Sequence, residues 1–346
     1  MRLNVGISGA TGVTGEVTLR ILEERKFPVG KLRLFASKRS AGDAVRWKGN
    51  DYTVEALEDG NFAGLDLVIS ATSAALAREW APQMVNAGAV VIDQSSGFRT
   101  DPAVPLVVPE INPEDLQSHR GIIAGPNCTT AVAVMAVAPL HRAFGVDSVV
   151  SSSYQAMSGK GRDGMAEFLA MSAKAAHQPE GLRGHQPLDV GKSEQYPHVP
   201  AFNLFPQCEE FRPGEDTSTE EEKMQAELRK MLHAPELAVH ATAVRVPILV
   251  GHTVSLALSL TKPATVQDAR RAFESFDGVQ LLDEPWKAMY PTPLAAAGID
   301  DVLVGRIRAI RFVKNGLSVF ASGDNLRKGN ALNAIQVAEI VFGIAR

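Results

Sequence analysis

Short apolar runs and helical patterns alternate through the first 130 residues. Strand-like runs fall at 3–8, 31–36, 65–71, 89–93 and 121–124, and amphipathic spacing predicts helices over 15–25 and 74–87. Alternation of this kind predicts a parallel, doubly wound sheet, because parallel strands need crossover connections and helices usually supply them. Beyond about residue 145 the period changes. Val254, Leu256, Leu258 and Leu260 alternate with small or polar residues, the period of a half-buried strand. Residues 239–248 and 302–312 read similarly, and Asn315-Gly316 between 306–313 and 317–321 is a hairpin signal. A mixed, largely antiparallel sheet is expected here, backed by helices at 163–176, 219–232 and 266–276. A last helix, 329–344, carries Leu332, Ile335, Val337, Ile340, Val341 and Ile344 on an apolar face. Residues 177–216 are rich in Pro, Gly and His with little periodicity, which predicts a functional or interface excursion.

A chain of 346 residues with 45% hydrophobic content has room for two domains and a sizeable core. No apolar run reaches membrane-spanning length, and the N-terminus reads as a strand entering a glycine turn, without a secretory leader. A cytoplasmic protein without a membrane partner is expected. A net charge of −4, with both signs interspersed, argues against nucleic acid as a partner. The two cysteines, Cys128 and Cys208, exclude a disulfide framework, and no metal-binding cysteine pair is present, so no metal is expected.

Gly9-Ala-Thr-Gly12-Val-Thr-Gly15 follows the first strand and opens a helix. Glycines there let the backbone approach a pyrophosphate, and the helix N-terminus offers free N–H groups. NAD binders usually carry an acid at the end of the second strand to hold the ribose 2′-hydroxyl. This chain has Ser37-Lys-Arg39-Ser40 instead, two hydroxyls and two cations, which suits the 2′-phosphate of NADP.

Pro126-Asn-Cys128-Thr-Thr130 lies between the strand at 121–124 and an apolar run at 131–140 that reads as a buried helix. Cys128 at that helix start is favoured as thiolate, a nucleophile for an aldehyde or acyl phosphate. Cys208 has no such setting. A nucleophilic cysteine wants a histidine, and of the eight, His252 stands apart: it follows Gly251 and opens a strongly periodic strand. Arg245, at the head of the same segment, is suited to a carboxylate.

These motifs, with Phe98-Arg99 ahead of Val104-Pro-Leu-Val-Val-Pro-Glu110, Tyr154-Gln155-Ala-Met-Ser158-Gly159 and Asp324-Asn-Leu-Arg-Lys-Gly329, run in order along nearly the whole chain and resemble the aspartate-semialdehyde dehydrogenases. The resemblance implies a Rossmann-type NADP domain over 1–130, completed by 326–346, and an α+β catalytic and dimerisation domain over 131–325. It implies a homodimer, or a tetramer, and small-molecule substrates. The family reaction is reversible reduction of L-aspartyl-4-phosphate by NADPH to L-aspartate-4-semialdehyde with release of phosphate, a step toward lysine, methionine and threonine. In that scheme Cys128 forms a thioester, His252 is the acid/base, Gln155 orients the acyl group, Arg245 clamps the α-carboxylate and Glu220 receives the ammonium. Arg99 and Lys223 match the phosphate site. Gly9, Thr11, Gly12, Val13, Thr14, Arg39, Ser40, Ser158, Gly159 and Asn325 match cofactor contacts.

Glu220 also has a second reading, since Thr217-Ser-Thr-Glu220 has the spacing of a helix capping box, and Glu221 and Glu222 are adjacent. Thr72, Gln94, Gly125 and Lys160 depart from the family's usual residues without removing a reacting group. Two rival readings are N-acetyl-gamma-glutamyl-phosphate reductase and a catalytically silent NADP-binding paralogue. The first typically has Pro-Gly-Cys at the nucleophile and a substrate without a free ammonium.

Overall fold

The computed structural model describes residues 2–345, which divide into two compact units. Of the described residues, the first unit comprises 2–134, 226–235 and 326–345. Its strands are β1 (Leu3–Ser8), β2 (Val29–Ala36), β3 (Ala44–Trp47), β4 (Asn50–Ala56), β5 (Leu67–Ser70), β6 (Val90–Asp93) and β7 (Ile122–Ala124), ordered β3-β4-β2-β1-β5-β6-β7. All neighbours are parallel except β3 and β4. Helices α1 (Val13–Glu24) and α2 (Ala74–Asn86) supply crossovers, and α3 (Cys128–Phe144) begins directly after β7. The central strands are almost continuously apolar, as expected of strands covered on both faces. The β3–β4 hairpin is an addition to the elements expected from sequence. Ala44-Val-Arg-Trp47 and Asn50-Asp-Tyr are short and half polar because they form the sheet's edge.

The second unit comprises residues 135–225 and 236–325. Its elements are β8 (Val146–Gln155), α4 (Gly161–Ala176), α5 (Pro179–Leu182), α6 (Thr219–Met231, shared with the first unit), β9 (Ala238–Arg245), β10 (His252–Leu260), α7 (Val266–Glu274), β11 (Val279–Leu281), α8 (Pro293–Ala296), β12 (Val302–Ile310) and β13 (Gly316–Gly323). Six strands form one mixed sheet, β11-β12-β13-β10-β8-β9. The period-two strand β10 lies inside it, antiparallel to β8 and β13. Asn315-Gly316 does not make a two-residue turn: the link between β12 and β13 is 311–315, with Asn315 at φ 51°. Gly316 is needed for space, since a Cβ there would stand 2.7 Å from that of Val313. The 177–216 segment is anchored: Tyr196 and Phe205 pack with Met157 and Phe168 in one apolar cluster, and Val190 and Ala201 join Met171 and Ala175 in another.

The chain then returns to the first unit. A π-turn over Arg327–Ala331 leads into α9 (Leu332–Val341), whose Leu332, Ile335 and Val337 share one core with Val5, Ile7, Ile21 and Leu34. Arg25 clamps Glu339 bidentately at 2.7 and 2.8 Å. Residues 226–235, grouped with the second part in the sequence reading, also belong here: Lys230 donates to the carbonyls of Arg99, Asp101 and Val104. Among the described residues, no helix is long and apolar enough to cross a membrane.

Candidate active site

In the first unit, Gly9 has φ +82°, and a Cβ there would lie 2.4 Å from the carbonyl oxygen of Ala71. One at Gly15 would lie 2.7 Å from the Cα of Ala10. The turn is therefore closed to side chains where it bends and where the helix meets it. Gly12 is the N-cap of α1 and no side chain caps that helix. Val13 and Thr14 open its first turn, and Thr11 precedes them. Lys38, Arg39 and Ser40 form a 3₁₀ turn after β2, with both cations exposed. Glu55, on the neighbouring strand β4, is paired with Arg33 and held below its ordinary carboxylate value chiefly by the hydrogen bond from that guanidinium. Bare glycine backbone, an uncapped helix start and a basic turn fit a dinucleotide's pyrophosphate and ribose phosphate.

Cys128, partly exposed, is the first residue of α3. Asn127 caps that helix: its Oδ1 accepts from the backbone N–H of Thr129 (2.9 Å) and Thr130 (3.1 Å). The N–H of Asn127 donates to Glu227 Oε2 at 2.6 Å. Arg99 lies underneath, buried, donating to the carbonyls of Gly125 (2.9 Å) and Gln94 (2.7 Å) and ion-paired with Glu227 at 3.4 Å. Arg99 thus fixes the turn that leads into Cys128. Glu227 escaped the sequence reading. Its signal was spacing: Glu220, Lys223 and Glu227 recur at i, i+3 and i+7 on α6. Two family departures prove to be one feature. A Cβ at Gly125 would lie 2.5 Å from Gln94 Oε1, so the longer side chain at 94 occupies the space that glycine leaves.

In the second unit, β8 and β10 lie side by side and present Gln155 and His252 at their ends. His252 is fully buried. Its Nδ1 accepts from the N–H of Ala156 at 3.0 Å, so the neutral ring carries its proton on Nε2. Burial, and secondarily the charge of Arg245, hold His252 well below its ordinary value, so the neutral form is the resting one. Gln155 Nε2 donates to Glu220 Oε1 at 3.1 Å. The two readings of Glu220 separate here. The capping acid is Glu221, which accepts from the N–H of Ser218 (2.7 Å) and of Ala243 (2.8 Å), and Glu220, also buried, is left to face Gln155.

Arg245 Nη1 donates to the Ala156 carbonyl at 2.6 Å, and a Cβ at Gly159 would lie 2.9 Å from that nitrogen. Beside Arg245 opens a cavity of about 380 Å³ whose walls include Lys160, Tyr196, Gln207 and Glu209. Lys223 is ion-paired with Glu209. Ser158 and Asn325 hydrogen-bond through their side chains, and Asn325 Oδ1 accepts from the N–H of Gly251 at 2.9 Å. The first unit thus assembles the glycine turn, the basic turn, Arg99 and Cys128. The second assembles Gln155, Glu220, Arg245 and His252, with Ser158 and Asn325 as a pair and Lys223 on Glu209.

Residues 4–119 match the semialdehyde dehydrogenase NAD binding domain, and residues 137–328 match the semialdehyde dehydrogenase dimerisation domain. An aspartate-semialdehyde dehydrogenase of Aquifex aeolicus is 42% identical over 345 residues, covering 99% of this chain and 98% of that protein. The crystal structure of aspartate semialdehyde dehydrogenase II from Vibrio cholerae, at 35% identity, superposes with a TM-score of 0.92 over 100% of both chains, and the same enzyme complexed with ASA gives 0.91. The aspartate semialdehyde dehydrogenase of Candida albicans, solved with NADP, gives a TM-score of 0.74 at 25% identity over 99% of both chains. The chain belongs to the aspartate-semialdehyde dehydrogenase family.

Proposed function

We propose that this chain catalyses the reversible reduction of L-aspartyl-4-phosphate to L-aspartate-4-semialdehyde with NADPH, releasing phosphate, in the route to lysine, methionine and threonine. The observation that carries the reading is Cys128 at the Asn127-capped start of α3. Its thiolate attacks the acyl carbon, the bond to the phosphate oxygen breaks, and a thioester remains on Cys128. A nicotinamide, when bound, would supply the hydride for that carbon; the C–S bond then breaks, the semialdehyde leaves and the Cys128 thiolate is restored. His252, protonated on Nε2, donates to the acyl oxygen, where negative charge builds. At neutral pH it thus steadies that oxygen as a hydrogen-bond donor, and its basic nitrogen is already held by the N–H of Ala156. Gln155 orients the acyl group, Arg245 binds the α-carboxylate, Glu220 binds the ammonium, and Lys223 and Arg99 serve the phosphate. The acid at Glu220 favours a substrate with a free amine over an N-acetylated one.

NADP is favoured over NAD by Lys38 and Arg39, with no carboxylate from 36 to 40 at the end of β2. The cofactor contacts proposed are Gly9, Thr11 to Thr14, Arg39, Ser40, Ser158, Gly159 and Asn325. The dimerisation-domain match supports a homodimer.

The test is the reverse reaction: L-aspartate-4-semialdehyde, phosphate and NADP, followed by NADPH absorbance. Phosphate-dependent NADPH formation is expected, and Cys128→Ala should lower it by about 10⁴-fold or more while NADP still binds. Absence of turnover with NADP bound would sink the reading, and the N-acetylglutamyl substrate would be tried next.

A further inference from the structure

A deeply buried cation of the first unit, Lys328, stands one residue before Gly329, which lies against Cys128. Lys328 is 1% exposed, its ammonium paired with Glu110 and hydrogen-bonded to Gln336 at 2.8 Å and Asn333 at 3.4 Å. Gln336 Nε2 returns a bond to Glu110 at 2.9 Å, and Asn333 Nδ2 donates to the Val107 carbonyl at 2.9 Å. Burial, the largest single influence, pushes the Glu110 carboxyl up, but the charge of Lys328 and the hydrogen bonds from Lys328, the backbone and Gln336 together hold the group below its ordinary value. A buried pair of this kind adds little net stability over apolar packing of the same volume, and its best-attested use is to fix one register.

The register in question is that of the π-turn. Lys328 lies inside Arg327–Ala331, where the N–H of Ala331 reaches back to the carbonyl of Leu326 at 3.1 Å. Such bulges are uncommon and often mark functional sites. The next residue, Gly329, lies against the nucleophile: a Cβ there would stand 3.0 Å from Cys128 Cβ and 3.2 Å from its Cα and carbonyl oxygen. A slip of the π-turn to an α-helical register would bring a side chain against Cys128, which would have to give way by a few tenths of an ångström.

We infer that Lys328 and Glu110 are positioning residues, which lock the π-turn so that Gly329 seats Cys128 at the mouth of its helix. The inference rests on Cys128 being the nucleophile, and the experiment separates the two. The second-order rate of Cys128 alkylation by iodoacetamide is followed against pH in the full-length protein, by mass spectrometry of its peptide, beside the thermal melting point. Wild-type Cys128 is expected to react faster at pH 7 than an ordinary thiol. Lys328→Met alone strands a buried carboxylate and can cost the fold. Lys328→Met/Glu110→Met removes both charges together and should melt near wild type. In that variant the rate at pH 7 should fall about tenfold and the pH midpoint should rise by about one unit. Gly329→Ala, with the ion pair intact, should shift the midpoint the same way. A double variant with wild-type rate and midpoint overturns the proposal whatever its melting point, and so does a midpoint moved only by Gly329→Ala. Wild-type alkylation no faster than an ordinary thiol overturns the nucleophile and this proposal with it, before any variant is made.

Discussion

Two helix starts in the first unit are used in opposite ways. Both α1 and α3 follow the carboxyl end of a parallel strand, β1 and β7, and each begins with the positive end of a helix. At α1 the N-cap is Gly12, and no side chain takes the free N–H groups. At α3 the N-cap is Asn127, whose Oδ1 takes those of Thr129 and Thr130. An uncapped start is a cradle waiting for an anion. A capped start has internal partners already, so what it presents is the side chain mounted on it, the Cys128 thiol. On the proposed reading the same positive end would serve a ligand in one case and a protein group in the other, with one residue, Gly or Asn, making the difference.

Giving α1 the cap of α3 should have the largest effect. Gly12 has φ −80° and ψ 166°, which any residue adopts, so Gly12→Asp should fold. Its carboxylate would take the N–H groups and repel the pyrophosphate. The dissociation constant for NADP is expected to rise by about 100-fold, some 2.7 kcal/mol, with an unchanged or higher melting point. Unaltered NADP titration would show that α1 is not the phosphate site. The converse, Asn127→Ala, should be milder. Loss of the cap costs about 1 kcal/mol of stability, and kcat/KM should fall about tenfold with NADP binding intact. A fall in NADP affinity of the same size would mean that the two ends are not separable.

The smallest effect is on pH. His252 is held below its ordinary value in the fold, so the unfolded chain takes up this proton first as pH falls. Its contribution to stability is complete above the unfolded value, near about 6.5, and is lost progressively below it. Melting points should therefore decline from pH 7 to 5, and less steeply in His252→Asn. Equal slopes would show that the buried ring titrates with a compensating group.

What could be read from the sequence follows from which groups do the burying. Strands β1, β5 and β6 bury aliphatic residues, and β10 alternates them, so their periods are plain. Strand β8 was not legible because its inward positions after Val149 are Ser151, Ser153 and Gln155, buried polar groups that give no hydrophobic period. Cys128 at a capped helix start was legible because helix start, cysteine and asparagine are neighbours in sequence. Its supports were less so: Arg99 was read as a phosphate ligand and not as the donor to the carbonyls of Gly125 and Gln94, and Glu227, Glu110 and Lys328 find their partners only across large sequence separations. Glu221 rather than Glu220 as the cap turns on which acid meets Ser218 and Ala243, which no local spacing specifies.

The return of the chain to its first unit also sets a timetable. Helix α9 is buried among Val5, Ile7 and Leu34, so the oldest strands made by a ribosome wait for the youngest helix before their core is dry. The second unit, composed between those two moments, has all its strands in hand before α9 is made. The nascent nucleotide-binding sheet therefore spends most of its synthesis with an apolar face uncovered, and that interval is when a chaperone has the most to bind.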